Sequence, residues 1–169
     1  LEAYNYHQEV AKLTAADAAA YDWFGRSVAI NGGTVAIRGG SDDVYILRTT
    51  DGGGTWSQVA KIVSGGVSIG ISGDVVVVGR CGDSSIAPIA SGAVCVFRTS
   101  DGGATYDQVA KLTAADAEAY DYFGSSVAID GDTVVAGAPN EDGDHISRGA
   151  AYVFRTTDGG ATYSQVAKL

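Results

Sequence analysis

The chain has 169 residues, 46% of them hydrophobic, with 24 glycines, 2 prolines and a formal net charge of −9. This composition excludes a disordered class, and no apolar run approaches the roughly 18 residues of a membrane span. No basic stripe with interleaved aromatics is present, which argues against nucleic acid as a partner, and the acidic balance disfavours anionic membranes. With no Met and with Leu1 first, the chain is expected to be a processed form or a piece of a longer protein. A mature secreted protein would likewise show no signal peptide.

In chain order, residues 1–13 end in Gln8-Glu9-Val10-Ala11-Lys12-Leu13, a segment that matches the end of the whole chain, Ser164-Gln165-Val166-Ala167-Lys168-Leu169. The marker lysines Lys12, Lys61, Lys111 and Lys168 stand roughly fifty residues apart. A period of that length signals repeated supersecondary units that bury their faces only against neighbours. Three units follow from it: residues 14–60, a degenerate 61–110, and 111–169. Residues 1–13 are then a surplus N-terminal strand or half-blade able to act as a donor strand, with Ala3-Tyr4-Asn5-Tyr6 as a rudimentary partner.

The first unit opens with Leu13 to Tyr21, and the third with Leu112 to Tyr120. Each carries a Thr followed three positions later by Asp, a capping-box-like start. Too short to hold as free helices, both are expected to form a helical turn between units. The second unit has lost most of this segment.

The third unit then reads most clearly. Ser126 to Ile129 is a short strand, Asp130-Gly131-Asp132 a turn, and Thr133 to Gly137 the return strand. An Asp-Gly step between β-branched runs is a strong hairpin signal. Ala138-Pro139 ends the second strand, because proline cannot donate to a ladder. After a polar loop, Asn140 to Arg148, come a third strand, Gly149 to Arg155, and a fourth, Thr162 to Lys168. The first unit repeats this with a shortened loop at Gly39 to Asp43, and the second keeps Ser72-Gly73-Asp74 as its turn. Four short antiparallel strands per unit fit a propeller blade better than a sandwich. The expected fold class is therefore all-β: three four-stranded antiparallel propeller-type blades plus the surplus N-terminal strand.

Between the third and fourth strands, one sentence returns three times: Asp51-Gly52-Gly53-Gly54-Thr55-Trp56, Asp101-Gly102-Gly103-Ala104-Thr105-Tyr106 and Asp158-Gly159-Gly160-Ala161-Thr162-Tyr163. An Asp opening a Gly-Gly turn accepts hydrogen bonds from the turn's own N–H groups, and the Thr and aromatic pin it to the sheet. Three copies on three separate units cannot converge on one substrate, so these carboxylates read as structural turns and not as catalytic groups. Arg48, Arg98 and Arg155 end the equivalent third strands and read as structural too.

Cys81 follows the run Val75 to Arg80, and Cys95 lies in the next strand. If those strands pair, the thiols approach across one hairpin. A disulfide is the preferred reading over two buried free thiols, on the assumption of an oxidising compartment.

Asp22-Trp23-Phe24-Gly25-Arg26-Ser27-Val28-Ala29-Ile30 and Asp121-Tyr122-Phe123-Gly124-Ser125-Ser126-Val127-Ala128-Ile129, the latter followed by Gly137-Ala138-Pro139, resemble the FG-GAP repeat of integrin α-chain propellers. They are closer to the variety found in long secreted and cell-surface proteins. The Asp-Gly-Gly turns resemble the Asp-box of sialidase-type propellers. The resemblance implies an extracellular or cell-surface β-propeller blade used in adhesion or surface architecture, without catalysis. Two departures bear on it. The integrin calcium loop is cut to Asp130-Gly131-Asp132, too short for a cation that takes 6–8 oxygens, so the calcium site is not carried over. In the first unit Ile37-Arg38-Gly39, and in the second Gly79-Arg80-Cys81, stand where Gly-Ala-Pro is expected.

Asn140, Asp142 and Asp144, with Glu141 and His145 beside them, are the densest set of candidate calcium ligands. Their spacing fits no EF-hand loop, and a solvated loop is preferred; no cofactor is expected. His7 and His145 are the only histidines, and neither adjoins a Ser or Cys in a nucleophile setting. No enzyme activity is expected. Trp23, Phe24, Tyr122, Phe123, Trp56, Tyr106 and Tyr163 could form sugar platforms, but their recurrence in register favours packing between blades.

Closed propellers carry about 4–8 blades. Three leave two open faces with apolar surface and strand edges to cover. The preferred function is a structural, extracellular protein that self-associates head to tail through its open blade faces and N-terminal strand, as the subunit of a surface filament or appendage. The alternative is an adhesive or carbohydrate-binding module, with a glycan or surface protein as ligand, acting within a closed propeller.

Overall fold

The structure is a computed structural model that describes residues 9–40, 43–81, 90–142 and 148–169. Twelve strands form three four-stranded sheets. Blade 1 contains β1 (Val28–Asn31), β2 (Thr34–Gly39), β3 (Asp43–Arg48) and β4 (Ser57–Ile62). Blade 2 contains β5 (Ser68–Ser72), β6 (Val75–Gly79), β7 (Val94–Arg98) and β8 (Asp107–Leu112). Blade 3 contains β9 (Ser126–Asp130), β10 (Thr133–Ala138), β11 (Ala150–Arg155) and β12 (Ser164–Lys168). Every pairing is antiparallel between sequence neighbours. The fold is all-β, as the repeat predicts. β4 and β8 run to Ile62 and Leu112, two residues past the unit ends read from the sequence.

The same local rules build each sheet. Asn31 pairs with Thr34, Ser72 with Val75 and Asp130 with Thr133, leaving a two-residue turn each time. Gly32, Gly73 and Gly131 occupy the left-handed region in these turns, where a side chain would be strained. Each outer pair also shifts register at one equivalent place: Ile46/Leu47, Val96/Phe97 and Val153/Phe154. A bulge there increases twist and tilts the outer strand.

The core lies between the sheets. Ala36, Val44, Ile46 and Ile62 of blade 1 meet Ile69, Ile71, Val76 and Val78 of blade 2. On its other face, blade 2 presents Val75, Val77, Val94 and Val96 to Val134, Ala136, Tyr152 and Phe154 of blade 3. Blade 2 is apolar on both faces, so its central strand β6 reads as an uninterrupted valine run and not as an alternation.

The two FG segments seat the blades. Phe123 is fully buried and meets Tyr152 and Phe154 edge to face at 5.5 and 5.8 Å. Its N–H donates to the Ser91 carbonyl at 2.8 Å, and it forms a parallel bridge with Gly92. Phe24 meets Tyr45 in the same edge-on geometry at 5.5 Å. Gly25 N–H donates to the Arg38 carbonyl and Gly124 N–H to the Gly137 carbonyl, both at 2.9 Å. This shared bond makes Arg38 the counterpart of Gly137. The first unit's substitute for Gly-Ala-Pro is therefore Arg38-Gly39-Gly40, one residue later than the sequence reading set it, because loop shortening hides the register.

The leading segments and the N-terminal segment lie off the three sheets. The segments at 13–21 and 112–120 each form one short turn, Ala18 N–H to the Ala15 carbonyl and Ala117 N–H to the Ala114 carbonyl, on the connection that leads into the blade. Ala16 and Ala115 donate their N–H groups to Gln58 and Gln165 on the outer strands. Asp17 and Asp116 likewise reach across to Lys61 and Lys168, so the donors and acceptors of a capping box are spent on the sheet. Of the surplus N-terminal strand, residues 1–8 lie outside the described residues, and Glu9 to Leu13 pair with no sheet. Val10 is 85% exposed. Each blade already owns four strands, which leaves this segment nothing to complete within the chain.

Cys81 and Cys95 form a disulfide with an S–S distance of 1.99 Å. Cys95 pairs with Lys111 just as Tyr45 pairs with Lys61 and Tyr152 with Lys168. The bridge thus occupies the place that a tyrosine fills in the other two blades, in the one blade that lacks the leading segment.

Two outcomes follow for stability. A Cβ on Gly92 would lie 2.0 Å from the Phe123 carbonyl oxygen, and Gly92→Ala is expected to destabilise the chain by ~2 kcal/mol or more in urea unfolding. The disulfide closes a loop of sequence separation 14, and the Cys81→Ala/Cys95→Ala double variant is expected to lose ~3 kcal/mol by the same measurement.

Candidate functional site

The recurring polar groups lie at the junctions between blades and on the two faces that have no neighbour. At the Asp-Gly-Gly turns, Asp101 Oδ1 accepts from the Thr105 and Ala104 N–H groups at 3.0 and 2.9 Å and from the Thr99 hydroxyl at 2.8 Å. Its Oδ2 accepts from the Thr105 hydroxyl at 2.6 Å. Asp51 and Asp158 repeat this with Thr55 and Thr49, and with Thr162 and Thr156. Thr49, Thr99 and Thr156 each accept the N–H of the second glycine, Gly53, Gly103 or Gly160. Trp56 Nε1–H donates to the Gly53 carbonyl at 3.0 Å. Both oxygens of each carboxylate accept bonds from the turn itself. The three carboxylates stand on three separate sheets and are brought together nowhere.

These bonds hold all three carboxyls well below the usual 3.8. The Thr55 N–H is the leading cause at Asp51, and the Thr105 and Thr162 hydroxyls lead at Asp101 and Asp158. A second cluster recurs in blades 1 and 3. Lys61 bridges Asp17 at 2.8 Å and Asp43 at 3.0 Å over the Tyr45 ring, and Lys168 bridges Asp116 at 2.5 Å and Glu141 at 2.7 Å over Tyr152. Asp17 raises the Lys61 pKa most, and Asp116 that of Lys168. Burial, helped by the Asp116 carboxylate, pushes the Tyr152 phenol up to about 12. Sequence reading missed these clusters, although the recurrence of a leading-segment aspartate and an outer-strand lysine in units 1 and 3, Asp17 with Lys61 and Asp116 with Lys168, was a usable signal.

Of the candidate calcium ligands, Asn140 and Asp142 lie among the described residues, with Glu141 beside them. Asn140 N–H donates to the Asp121 carbonyl, Glu141 engages Lys168, and Asp144 and His145 lie outside the described residues, as does His7. Among the described residues no three His, Cys, Asp or Glu side chains gather as a metal set. No helix among them is long and apolar enough to cross a membrane.

The aromatics divide. Phe123 is core, Tyr122 lies under the Arg80 guanidinium at 4.7 Å, and Trp56, Tyr106 and Tyr163 are half-buried at their turns. Trp23 is 67% exposed beneath Arg26 at 5.3 Å, and with Phe24, Gly25 and Arg26 it lines an open cleft of about 520 Å³. That cleft is on blade 1, at the face with no neighbour.

At the two junctions, side chains cross in one direction. The Arg48 Nη1 donates to the Gly102 carbonyl of the next blade, and Arg38 Nε to the Gly66 carbonyl at 2.6 Å. Asn31 accepts from the Gly73 N–H and Ser72 from the Gly131 N–H, both at 3.1 Å, and the Ser68 hydroxyl donates to the Gly124 carbonyl at 2.8 Å.

Because the turn carboxyls are held ionised in the fold, the stability they contribute is complete above pH ~4 and drains as pH falls below that value toward their lowered pKa values. Melting temperature is expected to drop steeply on acidification from about pH 4 to pH 2. Asp101→Asn is expected to lower the neutral-pH melting temperature and flatten that acid slope, both read by circular dichroism.

Comparison with known proteins places this architecture. No curated protein sequence matches the chain. The crystal structure of Saccharomyces cerevisiae Sqt1, a WD40 β-propeller, is 14% identical and superposes with a TM-score of 0.56. The match covers 89% of this chain and 36% of that one, so this chain spans about a third of that propeller, and the likeness is one of fold alone. The FG-GAP repeat model matches residues 7–46 and 106–154, more than half of the chain and the two units that keep the leading segment. The protein belongs to the FG-GAP repeat family.

Proposed function

We propose that this chain is a non-catalytic, extracellular structural repeat protein that self-assembles head to tail, as the subunit of a surface filament or appendage. One observation carries the reading: the faces that blades bury against each other are left open at both ends. On blade 1, Val28 and Ile30 are 64% and 66% exposed, whereas their counterparts Val127 and Ile129 pack into the core between blades 2 and 3. On blade 3, Val135, Ala151 and Val153 are only half-buried, whereas their counterparts Ala36, Val44 and Ile46 are fully buried against blade 2. One open face is the shape that the other face packs against inside the chain. A contact between two different ends is heterologous, and it closes into a ring or runs on as a fibre according to the rotation per subunit.

The Cys81–Cys95 bridge supports an oxidising compartment, and FG-GAP repeats are typical of extracellular proteins. The non-catalytic reading rests on carboxylates that stand on three separate blades, each bonded through both oxygens to its own turn. The alternative, an adhesive or glycan-binding module within a closed propeller, is favoured by exposed Trp23 over its cleft. In that case Trp23→Ala abolishes binding to a glycan array while leaving association unchanged.

Sedimentation velocity and electron microscopy over a range of concentrations test the main reading. The chain is expected to form ordered polymers, and Val28→Glu/Ile30→Glu to sediment as a single chain with its melting temperature little changed, since both side chains are solvated in the isolated molecule. A wild-type chain that remains a single particle at every concentration overturns the reading.

A further inference from the structure

Three arginines, Arg48, Arg98 and Arg155, end the third strands of blades 1, 2 and 3. The first two reach out of their own sheet into the Asp-Gly-Gly turn of the following blade. Arg48 donates to the Gly102 carbonyl and is steadied by the Thr34 hydroxyl at 3.1 Å. Its guanidinium lies so close over Gly103 that a Cβ there would come within 2.6 Å of Cζ. Arg98 lies over Gly160 in the same way, 3.4 Å from the corresponding point. Under these arginines Gly103 and Gly160 are buried, and so are Thr99 and Thr156, which hold the turns.

The outermost copies break the pattern in opposite senses. The turn of blade 1 has no arginine over it: Gly53 and Thr49 are half-exposed, and the nearest atom to a Cβ on Gly53 belongs to its own Trp56, at 4.0 Å. Arg155, on blade 3, is exposed, and its guanidinium meets no partner among the described residues. A second contact is left over in the same way. Asn31 accepts the Gly73 N–H and Ser72 accepts the Gly131 N–H. The third side chain in this series is Asp130, exposed on blade 3, and the unused amide is that of Gly32, exposed on blade 1.

We propose that the partner of this surface is a second copy of the chain, and that Arg155 of one copy seats on the Gly52–Gly53 turn of the next while Asp130 accepts the Gly32 N–H. The junction repeats, between molecules, the contact made twice within each one, and it brings a guanidinium to a turn that carries the Asp51 carboxylate. Arg155 is then the residue that sets register and direction, because only a third strand ending in arginine fills that socket. Charge-assisted bonds of this kind discriminate between partners more than they add raw affinity. The inference rests on the head-to-tail reading above and fails separately from it.

Sedimentation velocity on the full chain tests it with R155E, G53V and their equimolar mixture. Each junction needs one Arg155 and one open Gly53, so each variant alone carries a defect in every junction and is expected to associate roughly tenfold or more weakly than wild type. The mixture contains one sound junction, formed by the Arg155 of the G53V chain and the socket of the R155E chain, and is expected to yield dimers and nothing longer. If the strained position makes G53V melt early, R155E against R155K decides, with R155K retaining most of the association. Polymerisation of both variants as in wild type overturns the latch and leaves head-to-tail assembly standing. A wild-type chain that never associates overturns both.

Discussion

Each blade is apolar on both faces, and a sheet of this kind is fully covered only between two neighbours. Blade 2 meets that condition fully, with one core cluster on each side. Blades 1 and 3 meet it on one side each. Blade 1 covers part of its outer face with its own Leu13, Ala15 and Phe24, packed on Val35, Ile37, Tyr45 and Leu47. That cover stops short of Val28 and Ile30, which sit on the innermost strand. The need of a two-faced sheet for neighbours therefore organises the interior of the molecule and defines its ends.

The polar contacts add direction to this stacking. Hydrophobic burial alone would tolerate blades in either order, since the facing residues are mostly valine, isoleucine and alanine. The arginine at the end of the third strand, and the Asn or Ser at the end of the first, both reach toward the following blade. Arg48, Asn31 and Ser72 bind backbone groups of a glycine turn, and Arg98 lies over one, with no side chain to obstruct them. Glycine is required there twice over: Gly103 and Gly160 adopt a left-handed conformation, and Gly103 leaves no room for a Cβ beneath the guanidinium. The carboxylates of these turns are fully engaged in holding that shape.

Blade 2 shows how the repeat tolerates loss. In blades 1 and 3 a lysine on the outer strand ties a leading-segment aspartate over a buried tyrosine. Blade 2 has no such segment, and a cysteine replaces the tyrosine. The covalent bridge to Cys81 does locally what the ion pairs and aromatic stacking do elsewhere. A sheet held from within by a covalent link and from both sides by neighbours is the one that can spare its connection.

The repeat, the strands and their order were legible in the sequence because they follow from local chemistry: Gly-rich turns, β-branched runs and a period of roughly fifty residues. The Asp-Gly-Gly turns were legible for the same reason, since every bond their aspartates accept comes from within four residues. The single turn of each leading segment was legible too, but not its seat on the sheet, because its N–H groups and carboxylates bond to Gln58, Gln165, Lys61 and Lys168, more than forty positions away. Local capping rules have no access to such partners. The frame of Arg38-Gly39-Gly40 was hidden likewise, because it is set by one hydrogen bond from Gly25 across the sheet. The sequence by itself determined three blades and their turns. Only the tertiary structure decided that the arginines point forward into the next blade, and that one arginine and one socket are left without a mate, because that depends on how separate sheets stack.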